Sequence, residues 1–435
     1  MRMGAVVRRC SRRAVVTAGT AVLAAGVVAC GSGGNDSSSS GSGDDGEKGP
    51  ILIGISAAKT GALSPYDLQP GKAFQLRVEE INKEGGVLDG RKLEVKWLDT
   101  KSDKTLSASN ATQLLGEGAV AILTTCDFDF GSPAAFQARA KDVPGISFCA
   151  SSPKNATPSI IGKYGFSMGT GSDTEGVTAA EWIRKEHPDW KRVYELRDTS
   201  LEYSKAVADY FVARFKELGG TISGQDNFVG GENTDVGAQV SRLKSKVSST
   251  DAIHIGSWNP GGSTAARQIR NAGIDLPIIG DQSTDGQLTQ QVAGKISDYY
   301  SLPLGCMPLY CTGEGPNQGA VQKFADDYKA KYNEDLLSSY PINGYDLGTV
   351  LKQAIDTAKS ADPAKIGEAI QTMGPVQGIN SKFQFSEKCH RPVGQSRIVI
   401  EWTKGEGEFV TQLAPEQIPD IGDSNPCAGK PEAVT

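Results

Sequence analysis

From residue 50 onward the chain alternates short β-rich runs with stretches of helical periodicity, and that alternation leaves few folds open to it. Ile51 to Ile55 reads as a strand, and residues 71–83 place Phe74, Leu76, Val78 and Ile81 at helical spacing. Strands are expected at 92–98, 120–124 and 146–149, with helices between them at 107–115 and 133–141. Strands separated in this way form a parallel sheet through right-handed crossovers. A second series follows, with helices at 175–185, 203–218, 236–246 and 264–272 and strands at 192–196, 221–228, 252–255 and 277–279. Gly219-Gly220 supplies a helix stop. The two series are too long for one compact α/β unit, so two doubly wound lobes are expected. Helices at 318–332, 344–359 and 363–371 and strands at 382–385, 397–401 and 408–413 read as returning segments that complete them. The expected boundaries are 50–166 and 297–375 for the N-terminal lobe and 167–296 and 376–413 for the C-terminal lobe, with a tail at 414–435. The two halves correspond in pattern, without a repeat in sequence.

What precedes residue 50 is of another kind. Arg8, Arg9, Arg12 and Arg13 open a basic start without acids, and an Ala/Val-rich run follows to Ala29. That run is short for a membrane span and reads as the core of a signal peptide, residues 1–29. Val27-Val28-Ala29-Cys30-Gly31 resembles the lipobox of bacterial lipoproteins, which implies lipidation at Cys30 and an anchor in the membrane. Ser11-Arg12-Arg13 with the residues after it also resembles a twin-arginine export signal. Residues 30–49 are mostly Gly, Ser, Asp and Asn, a composition that cannot bury a core and suits a flexible tether. The expected location is therefore the outer face of the cell membrane.

Removal of residues 1–29 would take away five arginines and no acid, moving the net charge from −6 to −11. Such a surface does not suit nucleic acid, whose phosphates require Lys and Arg. Cys10 leaves with the leader, and six cysteines remain beside Cys30: Cys126, Cys149, Cys306, Cys311, Cys389 and Cys427. An even number in an exported chain favours disulfides, and of the possible pairings we take the one in sequence order, so that Cys389–Cys427 would hold the tail. None of these six has Cys-x-x-Cys spacing and the chain holds three histidines, so no metal site and no cofactor is expected.

Residues 75–93 carry the most specific resemblance: a helix, then Ile81-Asn82, Gly85-Gly86-Val87 and Gly90 ahead of a strand. With Lys59-Thr60-Gly61 before it and Arg267 to Gly273 after it, this order resembles the leucine/isoleucine/valine-binding family, the type I solute receptors of ABC importers. The resemblance implies two Rossmann-like lobes of the type I periplasmic binding protein fold, joined by a multi-segment hinge, with ligand trapped between them. It also implies a small-molecule ligand, an ABC permease as partner, and a monomer. Open α/β sheets bind ligands beyond the carboxyl ends of their strands, so the candidate contacts are the loops that follow strands.

In chain order these are Tyr66, which matches the family's ligand-facing aromatic; Asp127, Phe128 and Asp129 after the strand at 120–124; and Ala150, Ser151 and Ser152 after the next. In the amino-acid-binding members the loop at 124–133 is serine-rich and its hydroxyls meet the ligand carboxylate. Here Asp127 and Asp129 would repel one, so either they cap a helix or support a hinge, or the ligand is neutral or cationic. Ser132 before Pro133 reads as the better helix cap. Cys126 and Cys149 would end adjacent strands about 4.8 Å apart, within disulfide range, and would stiffen both loops. From the second lobe come Tyr203, Trp258 on a glycine-rich loop, suited to stacking on a ligand, and Asp281, which aligns with the family's acidic partner of a ligand ammonium.

Enzyme signatures are missing: no phosphate-binding Gly-x-x-x-x-Gly-Lys-Ser/Thr and no Gly-x-Ser-x-Gly elbow occurs. His187, His254 and His390 are scattered and read as structural. The expected function is capture of an amino acid or a related small polar or aromatic solute for an ABC importer by cleft closure. Two alternatives are a sensor presenting its closed form to a membrane receptor and a cell-surface hydrolase using Asp127 and Asp129.

Overall fold

The computed structural model describes residues 49–431, except 287, 290–292, 314, 393–394 and 423–424. The expected leader at 1–29, Cys30 and nearly all of the tether lie outside these residues. The described chain is built on two sheets. The first takes β1 (Ile51–Ala57), β2 (Leu93–Asp99), β3 (Ala121–Thr124), β4 (Gly145–Ser147) and β5 (Gly165–Ser167) in the order β2-β1-β3-β4-β5, all parallel. Between them run α1 (Ser64–Lys83), α2 (Lys104–Gly116), α3 (Phe128–Arg139) and the short α4 (Pro158–Ile161). Residues 53–57 of β1 are buried in unbroken succession, as expected of a parallel sheet covered on both faces.

The second half continues through α5 (Ser172–Glu186), β6 (Arg192–Asp198), α6 (Glu202–Glu217), β7 (Thr221–Phe228), α7 (Gly237–Lys244), β8 (Ala252–Gly256), α8 (Gly261–Asn271), β9 (Ile278–Ile279), β10 (Tyr299–Ser301) and β11 (Cys311–Thr312). Then come α9 (Gln318–Tyr332), α10 (Tyr340–Ala358), α11 (Pro363–Thr372), the hairpin β12 (Val376–Gln377) and β13 (Lys382–Phe383), and finally β14 (Arg397–Thr403) and β15 (Glu406–Leu413). The second sheet has the order β11-β15-β14-β10-β9-β8-β6-β7, parallel from β7 to β10 and antiparallel across β10-β14-β15. After α6, Gly219 takes φ +79° with open space where a side chain would stand, so it serves as a stop by conformation alone.

One face of the first sheet packs on α1, α10 and α11 through Phe74, Val78, Leu347, Val350 and Ile366, and the other on α2 and α3 through Leu114 and Ala134. At Gly344 a Cβ would stand 2.0 Å from the Pro70 carbonyl oxygen, so α1 and α10 touch backbone to backbone. The second sheet buries Ile253, Ile278, Ile398 and Trp402 on one face and Val193, Ala252 and Val399 on the other. The chain passes between the two cores three times: between Met168 and Val177, between Ile342 and Leu347, and between Phe385 and Ile398.

Two stretches fall in the other half from the one expected. Tyr299–Ser301, allotted to the N-terminal lobe, pairs with β9 and β14 in the second sheet, and Cys306 to Leu336 packs on its core. Val376, Phe383 and Phe385, allotted to the C-terminal lobe, pack into the first core. Strands of two or three residues carry too little periodicity to declare which sheet they join. Three disulfides join Cys126 to Cys149, Cys306 to Cys311 and Cys389 to Cys427, the pairing in sequence order. The last of them holds the tail, whose Ile418 packs against Val177 and Tyr210.

Candidate functional site

In each sheet the strand order reverses direction at one point, between β1 and β3 in the first and between β6 and β8 in the second, and it is there that loops part and leave a crevice. Both crevices open onto the same cavity. From the first half it is lined by Leu63 and Tyr66 after β1, Cys126 and Asp127 after β3, and Cys149 and Ser151 after β4. From the second come Leu201 and Tyr203 after β6, Trp258 after β8 and Ser283 after β9, while Tyr340 enters from the start of α10. Of the residues expected from sequence, Tyr66, Asp127, Ser151, Tyr203 and Trp258 line this cavity, and Phe128, Asp129, Ala150, Ser152 and Asp281 are not in its lining.

The first-half loops are held by one buried carboxylate. Asp67, in the first turn of α1, accepts from the Ala58 N–H at 2.7 Å, the Cys126 N–H at 2.8 Å and the Thr125 hydroxyl. The Cys126–Cys149 disulfide, with Cα atoms 4.5 Å apart, then joins the loop after β3 to that after β4. Ser151 donates from its hydroxyl to the Cys149 carbonyl at 3.1 Å. Ala150 is locked behind it, its N–H on Ser147 and its carbonyl on Ser167, and Ser152 accepts from the Lys154 N–H to start a short 3-10 turn.

The acidic loop resolves into separate roles. Asp127 is the N-cap of α3, its side chain accepting from the Phe130 N–H at 3.1 Å. The helix thus starts five residues earlier than the sequence suggested, and Ser132, expected as the cap, lies inside it. Pro133 also lies inside the helix, as its sixth residue, where it has no N–H to give to the Asp129 carbonyl. Burial, reinforced by the charge of Asp129, pushes the Asp127 carboxyl up to about 7. Phe128 lies under the Lys154 ammonium, 5.7 Å from its ring centre. Asp129 reaches across to the other half and accepts from the Glu202 N–H, at the start of α6, at 2.9 Å. An anion at a helix N-terminus is favoured by the unpaired N–H groups there. Asp127 lines the cavity and Asp129 does not, so the two do not face it as the pair that the hydrolase alternative requires.

On the second-half side, the Trp258 indole N–H donates to the Ser200 hydroxyl at 2.9 Å, which orients its ring toward the cavity. Asp281, expected opposite a ligand ammonium, is instead a capping residue: it accepts from the Ser257 N–H at 3.1 Å and the Ser283 N–H at 2.9 Å. Burial and then the charge of Glu175 raise its pKa.

Sequence reasoning missed Glu175, Tyr340 and Arg397. Glu175 accepts from the Tyr203 hydroxyl at 2.7 Å and the Gln282 N–H at 3.2 Å, and its other oxygen meets the Arg397 guanidinium at 3.1 Å. The signal in the sequence was a pair of acidic residues, Asp173 and Glu175, shortly after the glycine-rich stretch at 169–171. Tyr340 sits edge-on to Tyr66, ring centres 5.5 Å apart, and nothing in its local sequence separates it from a core tyrosine. The two halves also meet directly. The Tyr66 hydroxyl accepts from the Asn259 N–H at 2.8 Å and donates to the Ser283 carbonyl at 3.2 Å, and Lys154 pairs with Glu202 at 2.7 Å.

Buried carboxylates around the site set a pH dependence. Burial raises Asp67 and Asp285 to about 6 and Asp346 to about 7. A raised folded-state pKa means that the native state keeps a proton the unfolded chain has lost. The stability this supplies is present at low pH and disappears as pH rises through 6 to 7. For Asp67 alone the difference is about 3 kcal/mol over the full window. His187 and His390, whose pKa values burial lowers, act in the opposite direction but are outnumbered. The melting temperature is expected to fall by roughly 5 °C between pH 5 and pH 8 in scanning calorimetry; a rise over that range would contradict the assignment.

A family profile described as periplasmic binding protein matches residues 50–406. The Leu/Ile/Val-binding protein BraC3 of Rhizobium johnstonii is 25% identical over 362 residues, spanning 82% of this chain and 92% of that one. The amino acid binding protein of Pseudomonas aeruginosa is likewise 25% identical, over 361 residues, 81% of this chain and 90% of its own. The crystal structure of the branched-chain amino acid transporter substrate binding protein LivJ from Streptococcus pneumoniae, in complex with isoleucine, superposes with a TM-score of 0.70 at 25% identity, covering 83% of this chain and 99% of that one. The profile spans far more than half of the sequence, from β1 through β14, and the chain belongs to the periplasmic binding protein family.

Proposed function

We propose that the protein is an extracytoplasmic receptor that captures an amino acid or a related small polar or aromatic solute and delivers it to the permease of an ABC importer. The observation that carries this reading is the cavity itself, formed where the reversal points of two doubly wound sheets face each other and lined from both. Relatives named for amino acid binding support it. Ligand would enter between the halves, meet Tyr66, Asp127 and Ser151 on one side, and be covered by Tyr203 and Trp258 on closure. It stabilises the closed form only through contacts made with both sides. The direct bridges at Asp129–Glu202 and Lys154–Glu202 would form in the same movement. Lipidation at Cys30 would keep the receptor beside its permease.

Thermal unfolding of the purified chain against a broad panel of small solutes tests the proposal, because a ligand that binds only the folded state raises the melting temperature by mass action. At a hundredfold excess over Kd the gain is about 2.7 kcal/mol. Turnover of a solute without any such rise would favour the hydrolase reading instead.

A further inference from the structure

The polar groups that face the cavity are unequal in kind, and this inequality specifies a ligand class if the solute-binding reading holds. Among the described residues, no Lys, Arg or His lines the cavity. A hydroxyl carries one proton, and most of the lining hydroxyls have already committed theirs. Tyr203 donates to Glu175 at 2.7 Å, Ser151 to the Cys149 carbonyl at 3.1 Å, and Ser283 to the Ser257 carbonyl at 2.6 Å. Tyr66 both donates and accepts within the protein. The Trp258 N–H is taken by Ser200. What these groups can still offer a ligand is lone pairs. The exception is the Tyr340 hydroxyl, which makes no hydrogen bond to any described residue and keeps one proton to donate.

Asp127 adds the strongest acceptor. It is only 4% exposed, and its hydrogen-bond partners are N–H groups at the start of its own helix. No side chain donates to it among the described residues. Lys104, whose charge acts on it, is directed at the Phe130 ring, 4.9 Å from its centre. The buried cation of the neighbouring network, Arg397, is committed to Glu175, Gln282 and Thr170. A buried carboxylate in such surroundings is stabilised by an incoming N–H donor and opposed by a second carboxylate. The remaining wall is apolar: Leu63, Leu201, the Tyr66 and Trp258 rings and the Cys126–Cys149 sulfurs.

We propose that this cavity takes a small amine, amidine or primary amide, bound through its N–H groups at the Asp127 carboxylate, and turns away solutes that bear a free carboxylate. Two matched series test it by calorimetric titration of the full chain: benzylamine, benzamide, benzoate and phenylalanine, and isoamylamine, isovaleramide, isovalerate and leucine. The amine or amide of at least one series is expected to bind at least tenfold more tightly than its acid and its amino acid. Asp127→Asn, which keeps a capping side chain, is expected to weaken the amine at least tenfold and the amide by less than threefold, with an unchanged unfolding midpoint. An acid or amino acid that binds as tightly as its amine and amide overturns the ligand class while leaving the receptor reading intact. An unchanged amine affinity in Asp127→Asn overturns it too. If neither these probes nor the broad solute panel stabilises the protein, both readings fall together.

Discussion

Arg397→Met is expected to destabilise the folded body by about 3–5 kcal/mol, the cost of removing one partner from a buried ion pair. The guanidinium is fully buried and donates to Glu175, Thr170, Gln282 and the Leu302 carbonyl. Methionine fills much of the volume but leaves the Glu175 carboxylate in a dry interior with only the Tyr203 hydroxyl and the Gln282 N–H beside it. Urea unfolding should show a lower midpoint at unchanged slope. Glu175→Gln in the same background removes the stranded charge and is expected to restore about half of the loss, since replacing both members of a buried pair costs less than breaking it. Additive losses in the double variant would show that the two side chains do not act as a unit. Because Glu175 fixes the Tyr203 proton, Arg397→Met should also weaken ligand binding.

Replacing Cys126 and Cys149 together with alanine is expected to cost about 3 kcal/mol of stability, from the loop of sequence separation 23 that the bridge closes. The Cys306–Cys311 bridge, with a separation of only 5, should cost about 2 kcal/mol when removed in the same way. The two differ more in what else they do. The first lines the cavity and joins the loops that carry Asp127 and Ser151, whereas the second sits at the edge of the second sheet beside β15. Loss of the first should therefore weaken ligand binding, because two loops must then be ordered at the moment of capture. Loss of the second should lower only the melting temperature. Equal effects on affinity would remove the link between the bridge and the pocket.

What the sequence disclosed follows from how much periodicity each element holds. The helices at 318–332 and 363–372 were legible because their buried residues recur at helical spacing, as Val321, Phe324 and Tyr328 do in the first and Ile366, Ala369 and Ile370 in the second. Tyr299–Ser301 and Cys311–Thr312 were not, since two or three residues contain no period and their sheet is chosen by a distant partner. The start of α3 was misplaced because both Asp127 and Ser132 are good caps, and tertiary burial of the loop, invisible locally, decided for the first. Five of the ten candidate contacts, among them Tyr66 and Trp258, reached the cavity because loops after strands must converge there. Glu175 and Arg397 lie 222 residues apart and meet only through the fold, so no local pattern could have joined them.

The threefold passage of the chain between its two cores has a consequence for dissection. Neither half is a contiguous stretch: the first core takes β1 to β5 from the front of the chain and α10, α11 and the hairpin from near its end. A fragment stopping at residue 167 would leave Phe74, Val78 and Phe166 facing water, so no single truncation yields an autonomous half. Conversely, one protease cut in any one crossing leaves two others intact, and a nicked molecule should remain a single particle able to hold its ligand.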